Sequence, residues 1–168
     1  PPQPAPPLRF MTKIVTTGVA LSSEFSPLFP PANAIDGDVA SLAATEEQAG
    51  AWVSVRFEGV QRVGRVAVYN RDDDPAYAAW LSPFEVWVGS TRYGVTSDAT
   101  KCAGPVTVAA TLGPFVVDCS GSAGAYVTLR QVGAPRYLTI GEIVVYAPPT
   151  SPPPNPPAPP PAPADPPP

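Results

Sequence analysis

Ala51-Trp52-Val53-Ser54-Val55-Arg56-Phe57 is the stretch from which the fold class follows. Val53, Val55 and Phe57 alternate with Ser54 and Arg56, so every second side chain is apolar. That is the period of an extended strand with one buried face. Working outward, short runs of the same kind occur at 13–17, 65–69, 84–88, 115–118, 126–129 and 142–146. Gly, Pro, Asn and Asp punctuate them at 33–38, 70–75, 89–94, 121–124 and 133–135, where turns are expected. Only residues 39–48 read as a plausible helix, and a short one. Many short strands without alternating helices predict an all-β, antiparallel jelly-roll sandwich.

The ends have a different composition. Of the 27 prolines, five lie in the first seven residues and fourteen between Pro148 and Pro168. Proline fixes φ, donates no hydrogen bond and biases the residue before it toward extended geometry. The expected organisation is therefore a proline-rich segment over 1–10, a sandwich over 11–147 and a polyproline II tail over 148–168. At about 3.1 Å per residue the tail would reach on the order of 65 Å as a semi-rigid spacer. In an isolated monomer it could equally be a disordered linker. The two ends match in kind, as a domain–spacer polymer cut within its spacers would.

Several chemistries are excluded or disfavoured. The chain has no histidine, which removes Ser-His-Asp and Cys-His catalysis and histidine metal sites. Asp72, Asp73 and Asp74 adjoin, as do Glu46 and Glu47. Adjacent carboxylates on turns are ordinarily solvated, whereas a glycosidase needs two facing each other across a cleft. No catalytic residue is assigned. The net charge is −4, with no basic cluster to bind nucleic acid. No apolar run reaches 18 residues, no signal peptide is visible, and no Asn-x-Ser/Thr acceptor occurs. Cys102 and Cys119 are the two cysteines, without a histidine to complete a zinc site. They form either a disulfide, worth about 3 kcal/mol for a loop of this size, or two buried thiols.

Four stretches carry a resemblance: Ala32-Asn33-Ala34-Ile35-Asp36-Gly37-Asp38, the opening stretch, Val66-Ala67-Val68-Tyr69-Asn70-Arg71-Asp72-Asp73, and Leu138-Thr139-Ile140-Gly141-Glu142-Ile143-Val144-Val145-Tyr146. Together they resemble an F-type lectin (fucolectin) domain, a discoidin-like galactose-binding sandwich, from about Met11 to Ala147. The family commonly has a disulfide where Cys102 and Cys119 stand. It implies a structural calcium held by Asn33, Asp36, Asp38, an oxygen near Thr45, Gly141 and Glu142. Calcium prefers six to eight hard oxygens, which such a turn can supply; the alternative is a plain Asp-Gly turn.

The family's fucose site uses a His, an Arg-x-Asp and a second Arg. Arg71 and Asp73 match the Arg-x-Asp, Ala78 stands at the second Arg, and no His exists. Fucose binding in the family's manner is therefore not expected. Arg71 and Asp73 form a structural ion pair or a surviving sugar contact. Tyr77 and Trp80 in the same loop stack on a sugar or on polyproline, or else Trp80 caps the core.

The tails resemble hydroxyproline-rich glycoproteins of algal and plant extracellular matrix and cell wall. That likeness implies O-linked sugars at Ser151 and, on hydroxylated Pro152, Pro153, Pro154, Pro156, Pro157, Pro159, Pro160 and Pro161. The expected role is a secreted structural glycoprotein whose lectin-like module assembles into fibres with other copies of itself. A working lectin for extracellular glycans other than fucose is the alternative, and an accessory module of a larger enzyme a third. Trp52, Tyr69, Tyr77, Trp80, Trp87 and Tyr93 are the candidate rings for docking a polyproline segment.

Overall fold

The computed structural model describes residues 7–92 and 97–149; the expected glycosylation sites and Tyr93 lie outside these residues. The alternating stretch opens strand β3 (Trp52–Tyr69), which follows β1 (Thr16–Leu21) and β2 (Ala43–Ala44). After it come a single helical turn α1 (Pro75–Ala78), β4 (Phe84–Gly89), β5 (Thr100–Val106), β6 (Phe115–Gln131), β7 (Thr139–Ile140) and β8 (Glu142–Tyr146). Every strand pairing is antiparallel.

β3 and β6 serve both layers of the sandwich. The first half of β3 lies between β1 and the second half of β6, which continues to β4 and β5. Pairing of β3 with β6 is irregular between Arg56 and Gln61 and again between Val63 and Arg65. Beyond these bulges β3 lies between β8 and the first half of β6. Bulges let a strand bend and pass from one layer to the other. Val53, Val55 and Phe57 from one half of β3 thus share a core with Val66 and Val68 from the other, closed by Phe84, Leu129 and Ile143. The jelly-roll expectation holds, and its cause is visible in these two alternating, bent strands.

Cys102 and Cys119 form a disulfide joining β5 to β6. At the opposite edge the chain runs antiparallel to the end of β8. Ile14 N donates to Val145 O at 2.8 Å, and Ala147 N donates to Thr12 O at 2.9 Å. Lys13 bridges Tyr146 there, while Leu8 and Met11 pack on Ala67 and Tyr146.

Three local expectations are corrected. Residues 39–48 form no helix: Ala43 and Ala44 are β2, buried and paired with Ile140 and Thr139 of β7. The alanine- and glutamate-rich composition favours helix, but two strand pairs in a buried site outweigh that preference. The helical turn instead lies at α1, where Asp74 accepts from Ala76 N at 2.8 Å and Pro75 takes the first helical position. The run at 13–17 is displaced, because the first strand begins at Thr16 and extends to Leu21. Finally, β6 continues through the glycines at 121–124, with Ser120 and Gly121 at positive φ absorbing the irregularity. Among the described residues no helix is long and apolar enough to cross a membrane.

Candidate functional site

Asn70, just past the end of β3, fixes the corner from which one site is built. Its side chain is fully buried, donates to Ala78 O at 2.8 Å and accepts from Arg71 N at 2.9 Å. Arg71 then turns back onto Asp73 with two parallel bonds, Nε to Oδ1 at 2.6 Å and Nη2 to Oδ2 at 2.5 Å. These bonds hold the Asp73 carboxyl below its ordinary range and raise Arg71. The Arg71 guanidinium also lies 4.8 Å from the centre of the Tyr77 ring. Ala78, where the resemblance puts a second arginine, is only 2% exposed. An arginine there would have to displace core packing, so the deviation is structural as well as chemical.

From Tyr77 a row of rings crosses the end of the sandwich. Tyr77 meets Trp80 at 4.7 Å, Trp80 stacks on Tyr137 at 5.0 Å and 29°, and Phe25 meets Tyr137 edge-on at 5.6 Å. Phe29 continues the row at 6.0 Å from Phe25. These rings, with Leu42, Ala44, Arg71 and Thr139, line a cavity of about 310 Å³. Trp80 is a half-buried wall of that cavity and Tyr77 its exposed lip; Leu81, beside Trp80, is the residue that enters the core. Thr139, at the cavity, has a buried hydroxyl with no hydrogen-bond partner.

The walls are held by two polar side chains that sequence reasoning passed over. Gln131 donates to Trp80 O at 2.7 Å and to Tyr137 O at 3.0 Å. Arg136 donates to Trp80 O at 2.8 Å and to Pro83 O at 2.6 Å. Burial lowers the Arg136 pKa. Phe25, Phe29 and Tyr137 were likewise missed, because they sit in loops whose meeting no periodicity encodes.

A second cluster lies on the loop after the turn Pro31–Ile35. Gly37 adopts φ +86°, a conformation suited to glycine, and donates to Glu142 Oε2 at 3.0 Å. The Ser41 hydroxyl lies 3.2 Å from Asn33 O, 2.8 Å from Asp36 Oδ2 and 2.9 Å from Asp38 O. One hydroxyl proton cannot serve three acceptors at once. Asn33, Asp36, Asp38 and Ser41 therefore present more oxygens than donors. Glu142 is 5% exposed, and burial raises its carboxyl pKa, opposed by the Gly37 amide. Gly141 borders this loop: a Cβ there would come within 2.8 Å of Val39 O and 3.1 Å of Asn70 O. It sits where the two clusters meet. Thr45 is engaged elsewhere, donating to Glu46 O at 2.9 Å and accepting from Leu138 N at 3.0 Å.

The donor set fits a hard cation. Among the described residues no three His, Cys, Asp or Glu cluster together. Two carboxylates with carbonyl and hydroxyl oxygens suit calcium, whereas zinc favours nitrogen and sulfur.

Residues 33–129 match the family model of NedA-like, galactose-binding domains, and the chain belongs to that family. No curated protein sequence matches it. Among solved structures it is similar to a fucolectin from striped bass (Morone saxatilis) serum, at 25% identity and TM-score 0.66. That alignment covers 80% of this chain and 46% of the fucolectin, so the chain spans about half the length of that relative. It is also similar to a family 32 carbohydrate-binding module from Clostridium perfringens solved with galactose, at 17% identity and TM-score 0.61, covering 80% and 98% of the two chains. A fucose-binding module from Streptococcus pneumoniae aligns at 21% identity and TM-score 0.60, over 77% of this chain and 89% of the module. The latter two likenesses concern the fold alone.

Proposed function

We propose that residues 11–147 are a non-catalytic, carbohydrate-binding module of a secreted glycoprotein, with the aromatic cavity at Arg71 as its binding site. The observation that carries this reading is the stacked Trp80–Tyr137 pair, walled by Tyr77 and Phe25, beside the Arg71–Asp73 pair. Ring faces stack on the apolar faces of sugars, and a few polar groups set orientation. Fold relatives that are lectins and carbohydrate-binding modules support it. A glycan array on the whole chain tests it, with tryptophan fluorescence as a second readout. Trp80→Ala should abolish any glycan signal; an array blank for the unaltered chain overturns the reading.

Fucose itself should not bind with submillimolar affinity. Arg71 is already committed to Asp73, Ala78 is buried, and the chain has no histidine. Buried polar contacts to hydroxyls are what discriminate one sugar from another. Calorimetry with free fucose checks this, and a submillimolar dissociation constant would refute it.

The cluster of Asn33, Asp36, Asp38, Ser41, Gly141 and Glu142 is proposed to hold calcium, tying the 33–41 loop to β8. Calcium here would be structural and supplies no reaction chemistry. At ten times its dissociation constant it would add about 1.4 kcal/mol. A chelator should then lower the melting temperature by a few degrees, and Asp36→Ala should abolish that response. An unchanged melting curve counts against the ion.

The wider setting we propose is an extracellular matrix or cell-wall glycoprotein, with O-linked sugars on the proline-rich flanks and fibres as the assembled form. Its support is the proline distribution and the disulfide, which forms and persists in oxidising compartments. Glycopeptide mapping of native material tests the flanks.

A further inference from the structure

The cavity's lining is mostly apolar, with few groups placed to read hydroxyls. Arg71 has Nε and Nη2 bound to Asp73 and stacks on Tyr77, and Thr139 offers one hydroxyl. Much of the remaining surface is ring and aliphatic carbon, and part of it is open to solvent. Phe25 is 50% exposed, Tyr77 42%, and Leu28, three residues along from Phe25, 79%. Apolar surface gathered in this way marks a docking site.

The rings also have a repeat. Steps from Phe25 to Tyr137 and from Tyr137 to Trp80 are 5.6 and 5.0 Å. Two steps thus cover at most a little over the roughly 9.3 Å of one polyproline II turn. Such a helix presents a proline to the same side once per turn, and aromatic grooves are its usual receptors. Because proline has already lost much of its conformational freedom, docking it costs less entropy than ordering an ordinary loop.

Residues 152–168 supply that chemistry within the same sequence: Pro152-Pro153-Pro154-Asn155-Pro156-Pro157, then Pro159-Pro160-Pro161. Their starting point decides which copy they reach. The beginning of β8 adjoins the Arg71 corner, since Gly141 N donates to Tyr69 O at 2.9 Å. Its far end leads to Pro148, whose backbone lies against Gly64 at the bend of β3. The chain therefore leaves the sandwich about 20 Å from its own cavity, at about 3.3 Å per strand residue. Proline's fixed φ disfavours a reversal within so short a stretch, which favours the cavity of a neighbouring copy.

We infer that the aromatic cavity binds the proline-rich segment 152–168 of a second copy of this chain, in polyproline II geometry. The inference rests on the cavity being the ligand site and names its partner. One copy's cavity meeting the next copy's tail is a head-to-tail contact, and such contacts propagate when they do not close into a ring.

The test uses the whole chain and a synthetic, unmodified peptide of residues 152–168, with the same peptide having alanine for every proline as control. Sedimentation velocity should show concentration-dependent multimers that an excess of the proline peptide disperses and the control leaves intact. The peptide should also change tryptophan fluorescence. Tyr77→Ala, at an exposed lip where folding is not at stake, should weaken peptide binding at least tenfold; Trp80→Ala should remove it. A peptide that fails to bind, or binds Tyr77→Ala equally well, overturns the inference. If glycans bind in the array while the peptide fails, the carbohydrate-binding reading stands without it. If neither binds, both fall.

Discussion

Replacing Arg136 with alanine should destabilise the domain by about 2–4 kcal/mol and loosen the Trp80 wall of the binding cavity in the same step. The guanidinium ties its own loop, residues 132–134, to the segment 80–83. Nε donates to Trp80 O at 2.8 Å, Nη2 to Pro83 O at 2.6 Å, and Nη1 to Val132 O at 3.0 Å and Ala134 O at 3.1 Å. Hydrogen bonds from a charged group contribute about 1.5–3 kcal/mol each where water is excluded. Arg136 is half-exposed, so water would replace part of that, and the total stays well below four full bonds. The carbonyl of Trp80 would keep only its bond from Gln131, which alone would then hold the walls formed by Trp80 and Tyr137. Arg136→Lys should recover a minority of the loss, because an ammonium lacks the planar fork that reaches several carbonyls at once. Urea unfolding gives the stability change, and ligand titration under native conditions gives the second readout. Equal stability of the alanine variant would mean that water satisfies these carbonyls and that Arg136 is not the anchor.

Removing the Cys102–Cys119 bridge should cost about 3 kcal/mol in the chain-entropy estimate for a loop of its size. The sequence separation is 17 residues. For a domain of this length that corresponds to a fall in melting temperature of roughly 10 °C. The bridge also secures β5, which among the described residues pairs only with β4 and forms the open edge of the larger layer. Cys102→Ala combined with Cys119→Ala should therefore raise hydrogen exchange first in β5, leaving β3 and β8 protected. An exposed, loosened edge strand invites pairing with other chains, so the double variant should also aggregate sooner on heating. Thermal melts with and without reductant measure the effect. Coincident melts, with reduction verified by mass, would show that strand pairing alone holds β5.

What was legible in the sequence follows from which contacts leave a periodic trace. Val53, Val55 and Phe57 alternate because one face of β3 is core, and the same rule located β4, both halves of β6, and β8. The Arg71–Asp73 pair was readable because its members stand two residues apart. The contacts of Ser41 with Asn33, Asp36 and Asp38, and the turn of Thr45 toward Glu46 and Leu138, left no trace in the sequence, because a loop's path through 33–45 depends on where β2 pairs. That pairing is with β7, at the far end of the sequence. The cavity was half legible: Tyr77 and Trp80 share a loop with Arg71, but Phe25 and Tyr137 reach them only through the tertiary fold. The false helix at 39–48 has the same origin, since local composition was read where a distant partner decides.

The clasp between residues 12–14 and the end of β8 determines how the domain would respond to tension. Chain enters at residue 12 and leaves at 147 side by side, on the same end of that short ladder. A pull on both flanks would load the packing of Leu8 and Met11 first, then the Ala147–Thr12 bond and then the Ile14–Val145 bond, peeling the clasp open one contact at a time. While the clasp holds, the sandwich would hang beside a stretched cable instead of lying in its line of force. Extension would release the anchoring of Leu8 and Met11 on Ala67 and Tyr146 as a soft first yield, with the disulfide-secured strands still folded.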